Sequence, residues 1–296
     1  MKPAPTSGYH VRRLYQGRRL DNARAARYRW TYYDTHPRRH AVEAQRLKTI
    51  DDLLDCEDER VELIGGIKPA GSGPADPSLQ ADSRSAIAAA SDQTEALDRL
   101  YEDLRRCRRC PGMFGPPVHG LAVRSPVMMI GQAPGTREIE QGRPFCWTAG
   151  KTLFRWFESI GINEAGFRAR VLMSAVCRCF PGKNPKGGDR VPDRVEVENC
   201  TPWWRAELET GQPRLIIPVG KLAIAQFADQ LPARARLDLL VGRQWPYRSA
   251  TGLAVDLIPL PHPSGASTWF KMEPGLTLLP QALRLIAAHP AWQDVL

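Results

Sequence analysis

Cysteine and histidine are the residues here whose types and spacing could do chemistry. Seven cysteines stand at 56, 107, 110, 146, 177, 179 and 200. With no apolar leader in MKPAPTSGYHVRR, we expect a cytoplasmic protein, where such a set reads as metal or cofactor chemistry rather than a disulfide framework. Cys107-Arg-Arg-Cys110 is a C-x-x-C pair, Cys177-Arg-Cys179 follows an apolar run, and Cys200 lies in a helical stretch after it. Four thiolates can close a tetrahedral zinc site or bind an iron–sulfur cluster, and spacing alone does not choose between them. His262 sits between Pro261 and Pro263 at the end of another apolar run, with Ser264, Gly265, Ala266 and Ser267 after it. Two prolines fix the backbone around that imidazole, and the small residues let a loop lie against a sugar–phosphate chain. Gly131-Gln132-Ala133-Pro134-Gly135 ends the first apolar run, where glycine allows a ligand close to the backbone.

These residues need elements to position them. Four short runs, PVMMIGQ, RVLMSAV, RLIIPVG and AVDLIPLP, are apolar throughout rather than alternating, as strands covered on both faces are. Helices are predicted over Thr94–Arg106, Ala149–Ile160, Asp193–Glu207, Lys221–Phe227 and Leu276–Ala288. Strand alternating with helix predicts a three-layer α/β/α domain over 93–296 around a central four-stranded, mostly parallel sheet. Ligands then bind outside the carboxyl ends of the strands, where the glycine turn, the cysteines and His262 all fall.

The rest of the chain differs. The net charge of +9 lies entirely in residues 1–50, which hold 12 Lys/Arg against 3 Asp/Glu, while the remainder balances at 29 against 29. That basic extension carries Tyr9, Tyr15, Tyr28, Trp30, Tyr32 and Tyr33, the mixture of a segment that pairs with phosphates and stacks on bases, or of a poorly ordered tail. A short basic helix could form over 19–30. Residues 51–92 turn acidic and then rich in Gly, Pro and Ser, which is linker composition. No stretch approaches the ~18 apolar residues of a membrane span; we expect no membrane partner and a monomer.

These pieces in this order resemble the uracil-DNA glycosylase superfamily, specifically its iron–sulfur family 4 and family 5 members, from about Thr94 to the C-terminus. A GEAPG-type motif, a GRPF segment and an alanine–glycine helix start are matched by Gly131–Gly135, Gly142–Phe145 and Ala149–Gly150, and the HPS triplet by His262–Ser264. The resemblance implies a DNA-repair glycosylase acting on DNA containing uracil, the alternative being a uracil-DNA binding protein with little or no turnover. It implies a [4Fe-4S] cluster on Cys107, Cys110, Cys179 and Cys200; Cys179 is preferred over Cys177 because it precedes a proline turn. The cluster would clamp loops. Phe145 would stack on the flipped base, His262 would stabilise the leaving anion, and Gly131, Ala133, Pro134, Gly135, Ser174 and Ser264 would bind substrate.

Two positions depart from the family pattern. Gln132 stands where the family has glutamate, and the asparagine at the second strand is replaced by a small residue, Ser174. An amide orients water but accepts no proton, so a true base has to be a nearby carboxylate. Glu138 and Glu140 are in reach by sequence. Arg105, Arg106, Arg108 and Arg109, and the loop Lys183–Arg190, are basic candidates for phosphate contact or plain solvated surface.

Overall fold

The computed structural model describes 92–296, apart from residues 186, 233, 234 and 266, together with the backbone of three N-terminal strands. Chain contacts separate two units, Met1–Gly73 and Pro74–Leu296. In the first, β1 (His10–Leu14), β2 (Ala25–Tyr33) and β3 (Glu43–Thr49) form an antiparallel sheet in that order. From Ala25 onward strand replaces the short helix expected over 19–30, as the aromatic and β-branched run Tyr28–Tyr33 favours, while 19–24 lie outside the described residues. The linker composition over 51–91 lies outside the described residues, as does Cys56.

The described part of the second unit begins with helix α1 over 92–105, whose Leu97, Tyr101 and Leu104 are buried at the three-and-four spacing read from the sequence. Its sheet is built from β4 (Val127–Gly131), β5 (Leu172–Ala175), β6 (Leu215–Pro218), β7 (Trp245–Arg248) and β8 (Ala254–Leu257), in the order β5-β4-β6-β8-β7. The first four neighbours are parallel and β7 pairs antiparallel with β8. Five strands therefore replace the four expected. Tryptophan, proline, tyrosine and arginine in β7 carry no continuous apolar signal, and an edge position tolerates its proline.

Alternate residues of the central strands feed two separate cores. Val127 and Met129 of β4 join Met173, Leu215 and Ile217 on one face, while Met128 and Ile130 join Leu172, Ile216 and Trp204 on the other. Burial on both faces explains why these strands read as unbroken apolar runs. One face is covered by α3 (Thr148–Glu158), α4 (Glu164–Arg170) and α6 (Gly275–Ala288), the other by α1 and α5 (Arg194–Gly211). The N-terminus of α5 is fixed by a capping box, with Asp193 accepting from the Glu196 amide and Glu196 reaching back to the Asp193 amide. A short helix α2 (Thr136–Gln141) follows the first glycine turn.

Chain order reverses about β4, which lies between β5 and β6, so a crevice opens at its carboxyl end. The exit of β5 is tied to that crevice: the Val176 and Cys177 amides donate to the carbonyls of Gly131 and Gln132 at 3.0 Å each.

Candidate active site

A cavity of about 630 Å³ occupies the crevice and is lined by Gly131, Gln132, Ala133, Pro134, Gly135, Phe145, Ser174, His262 and Ser264. The glycine turn with Gln132, the GRPF phenylalanine, Ser174 and the histidine and serine of the HPS triplet thus meet in one place. That volume is in the range of a small-ligand site.

Phe145 is placed by strain and by clamps. Its φ of 51° is left-handed, rare for a residue with a side chain. Arg168 of α4 holds it there, donating to the Pro144 carbonyl at 2.8 Å and to the Phe145 carbonyl at 2.9 Å. Gly150 packs so tightly beneath that a Cβ on it would overlap the Phe145 carbonyl, and one on Gly131 would come within 2.9 Å of the ring. The glycines of both motifs therefore make room for one phenyl face.

His262 follows β8 and packs on Gly220, where φ is 89° and a Cβ would meet the imidazole at 3.0 Å. The Ser264 amide donates to His262 Nδ1 at 3.2 Å. Nδ1 is therefore a lone pair, and the neutral ring carries its hydrogen on Nε2. Burial lowers its pKa, which favours that neutral form. The result is a rigid, uncharged N–H donor at the cavity wall.

The carboxylates sort themselves differently from the expectation. Glu138 lines the cavity, but its Oε2 accepts the Gly135 amide at 3.1 Å and serves as a helix cap. Glu140 lies outside the cavity, paired with Arg137 at 2.7 Å on an exposed surface. Asp189, which the sequence reading passed over, also lines the cavity. Its Oδ1 accepts from Lys183 at 2.7 Å, and its Oδ2 lies 2.9 Å from the place a Cβ on Gly135 would take. A hairpin over 183–189, bridged at Lys183 and Asp189, carries it there. Such a long-range placement leaves no local sequence signal.

Ser174 reaches the cavity wall, yet its hydroxyl turns to the opposite face of the sheet and donates to Glu207 Oε2 of α5 at 2.5 Å. Arg178 donates to the same serine at 2.8 Å and forms an ion pair with Glu207, both side chains being 1% exposed. Alternation puts the next residue, Ala175, on the Phe145 side together with Met173. Neither position offers an amide to a bound base.

The four expected cluster ligands line a second cavity of about 330 Å³: Cys107 after α1, Cys110 in the following turn, Cys179 after β5, and Cys200 within α5. Cys177 is not among its lining residues; it is fully buried in the core, and its thiol donates to the Cys200 sulfur. Burial raises Cys110 and takes Cys179 up to about 12. Cys200 is held below the usual thiol range, first by the Cys177 hydrogen bond, aided by the Arg178 charge and amide. Among the described residues, no three His, Cys, Asp or Glu side chains lie close enough to hold one metal ion. Arg178 lines both cavities.

The basic candidates have internal partners. Arg105 donates to His119, Arg106 pairs with Asp103, Arg108 folds onto backbone carbonyls and Arg109 covers Trp203. In the loop after β5, Lys183 pairs with Asp189 and Arg190 with Glu196.

No helix among the described residues is long and apolar enough to cross a membrane. The family model of the uracil DNA glycosylase superfamily matches residues 118–284. A type-4 uracil-DNA glycosylase of Pyrobaculum aerophilum is 31% identical over 173 residues, covering 57% of this chain and 83% of that protein. A type-4 enzyme of Archaeoglobus fulgidus is 31% identical over 45% of this chain and 63% of its own length. The type-5 enzyme of Pyrobaculum aerophilum is 32% identical over 43% of this chain and 66% of its own. With a match spanning more than half its length, on a sheet whose crevice gathers both glycine motifs and the histidine, the chain belongs to the uracil DNA glycosylase superfamily.

Proposed function

We propose that the protein is a monofunctional uracil-DNA glycosylase, hydrolysing the N-glycosidic bond of uracil in DNA as the first step of base excision repair. The observation that carries this is the meeting of Phe145, Gln132 and the Nε2–H of His262 in one cavity of small-ligand size. The type-4 and type-5 relatives support it by their names.

The bond itself dictates the rest. Its cleavage leaves positive character on the sugar and a pair of electrons on the base. The base must first leave the stack, at a cost of a few kcal/mol, and Phe145 offers it a replacement stacking face. His262 donates to the base oxygen that gains charge, a bond that strengthens as cleavage proceeds and so lowers the barrier. A neutral donor suits this task, since it keeps its proton while the anion departs. Water must then add to the sugar carbon and lose a proton. The Gln132 amide oxygen orients it, and Asp189 Oδ2 accepts the proton, the one cavity carboxylate among the described residues besides the capping Glu138. Asp189 also opposes the sugar's positive charge.

Cys107, Cys110, Cys179 and Cys200 would hold a [4Fe-4S] cluster. An all-sulfur donor set selects zinc or iron–sulfur. Thiols spread around a cavity wall without converging on one ion suit a cluster that presents a separate iron to each. The Arg178 amide to Cys200 at 3.3 Å and Asn199 to Cys110 at 3.7 Å are the N–H to sulfur bonds that such centres use. Bound, the cluster would fasten α1, the β5 exit loop and α5 to one another.

A uracil-containing single-stranded oligonucleotide, incubated with the protein and then treated with alkali, tests the reading. Strand cleavage is expected, and a shifted but intact strand would mean binding without turnover. His262→Ala should lower the rate by about 10²–10³-fold, the usual effect of losing one donor to a developing anion. Gln132→Glu should retain or raise it. Unchanged cleavage by His262→Ala would remove the proposed anion stabiliser.

A further inference from the structure

The geometry points to His119 as the residue that reads the hydrogen-bonding edge of the base, a role that rests on the glycosylase reading above. His119 lines the same cavity as Gln132, Phe145 and His262, in the segment that runs along the free edge of β5. The Gly120 amide beside it donates to Met173 at 3.3 Å, and the Val118 amide donates to Arg178 at 2.7 Å. Its ring is stacked on buried Tyr101 of α1, with centroids 4.3 Å apart and planes 22° from parallel.

Both ring nitrogens have assigned roles. His119 Nδ1 stands 2.7 Å from the Gly120 carbonyl, which only accepts, so Nδ1 carries the hydrogen. Nε2 stands 3.0 Å from Arg105 Nη1, which only donates, so Nε2 is a lone pair. Burial, reinforced by Arg105, lowers its pKa and favours this neutral tautomer. The cavity wall therefore carries an acceptor, fixed from behind by an aromatic stack, while the Arg105 guanidinium that now bonds it lies outside the lining residues.

That pattern complements one face of uracil. The N3–H takes the Nε2 lone pair that now accepts from Arg105, and the displaced guanidinium meets the adjacent exocyclic oxygen. Cytosine reverses both groups, setting a ring lone pair against Nε2 and an amino group against the guanidinium. A site built to bond one pattern rejects the other because its polar groups are left unpaired. The end of β5 cannot supply this reading, since the Ser174 hydroxyl is committed to Glu207 and the neighbouring position is Ala175. His119 is thus assigned as a specificity residue that separates uracil from the base it derives from.

The test compares uracil with 3-deazauracil, which has C–H where uracil has N3–H, in otherwise identical oligonucleotides. Single-turnover cleavage and equilibrium binding are measured for wild type and His119→Phe, which keeps the stack on Tyr101 but has no nitrogen. His119→Leu, also without nitrogen, serves if the first variant fails to fold. Wild type should prefer uracil by about 10–100-fold more than the variant does, the effect of one lost hydrogen bond to a desolvated partner. Equal preferences in wild type and variant, within about twofold, overturn the assignment of His119 while leaving the glycosylase reading intact. A wild type that neither cleaves uracil DNA nor binds it better than thymine DNA overturns that reading, and this one with it.

Discussion

Arg168→Ala should weaken uracil-DNA binding by about 5–150-fold although Arg168 is not among the residues lining the cavity. Phe145 has a φ of 51°, a conformation that costs about 1–3 kcal/mol and persists only where its surroundings over-determine it. The Arg168 guanidinium, with its side chain 12% exposed, supplies two charge-assisted bonds to the carbonyls of Pro144 and Phe145. Each is of a class worth about 1.5–3 kcal/mol, enough together to hold the strained turn. Without them the strain is unopposed, and the fraction of chains with the phenyl face in place falls by the factor that about 1–3 kcal/mol sets. Apparent affinity falls with it. Fluorescence anisotropy with a uracil oligonucleotide reads this directly. Glu164→Gln removes the Arg168 salt bridge at 2.9 Å but leaves the carbonyl bonds in place, so it should bind nearly as wild type. If Arg168→Ala remains folded and binds within about twofold of wild type, the clamp is not what positions Phe145.

Three other outcomes follow from the same structure. Glu207→Leu should destabilise the fold by about 3–5 kcal/mol in urea denaturation, because it strands the buried Arg178 guanidinium without a counter-charge; a loss below about 1 kcal/mol would show the pair to be dispensable. Cys179→Ser should abolish the broad visible absorbance of thiolate-bound iron in anaerobically purified protein, while Cys177→Ser retains it, since Cys179 and not Cys177 lines the thiol cavity. Stability should decline as pH falls below about 6.5, because His119 and His262 both have lowered pKa values in the fold and the unfolded chain takes up the protons first. Each contributes a slope of at most about 1.4 kcal/mol per pH unit between its unfolded and folded values; His262→Gln should flatten the urea midpoint against pH, and an unchanged slope would refute its part.

Much of the chemistry was legible from one dimension because it sits in short, ordered motifs. The glycine turn at 131–135, the GRPF segment, the HPS triplet and the C-x-x-C pair each carry their signal within a few residues, and the apolar runs before them announce strands buried on both faces. Ends of parallel strands must lie on one side of a sheet, so Gln132 and His262 could be expected to share a crevice. The antiparallel edge strand Trp245–Arg248 gave no such signal, because half of it faces solvent and its proline suits only an edge. Asp189, His119 and Arg178 acquire roles only when a hairpin, a helix and a strand edge far apart in sequence pack around the same cavity. Glu138 shows the converse, a carboxylate near the motif that the helix start claims as its cap. Local patterning determined the sheet and the motif residues. Tertiary packing decided which neighbouring polar groups are spent on structure and which are left facing the ligand, since that depends on distances between segments that no sequence spacing encodes.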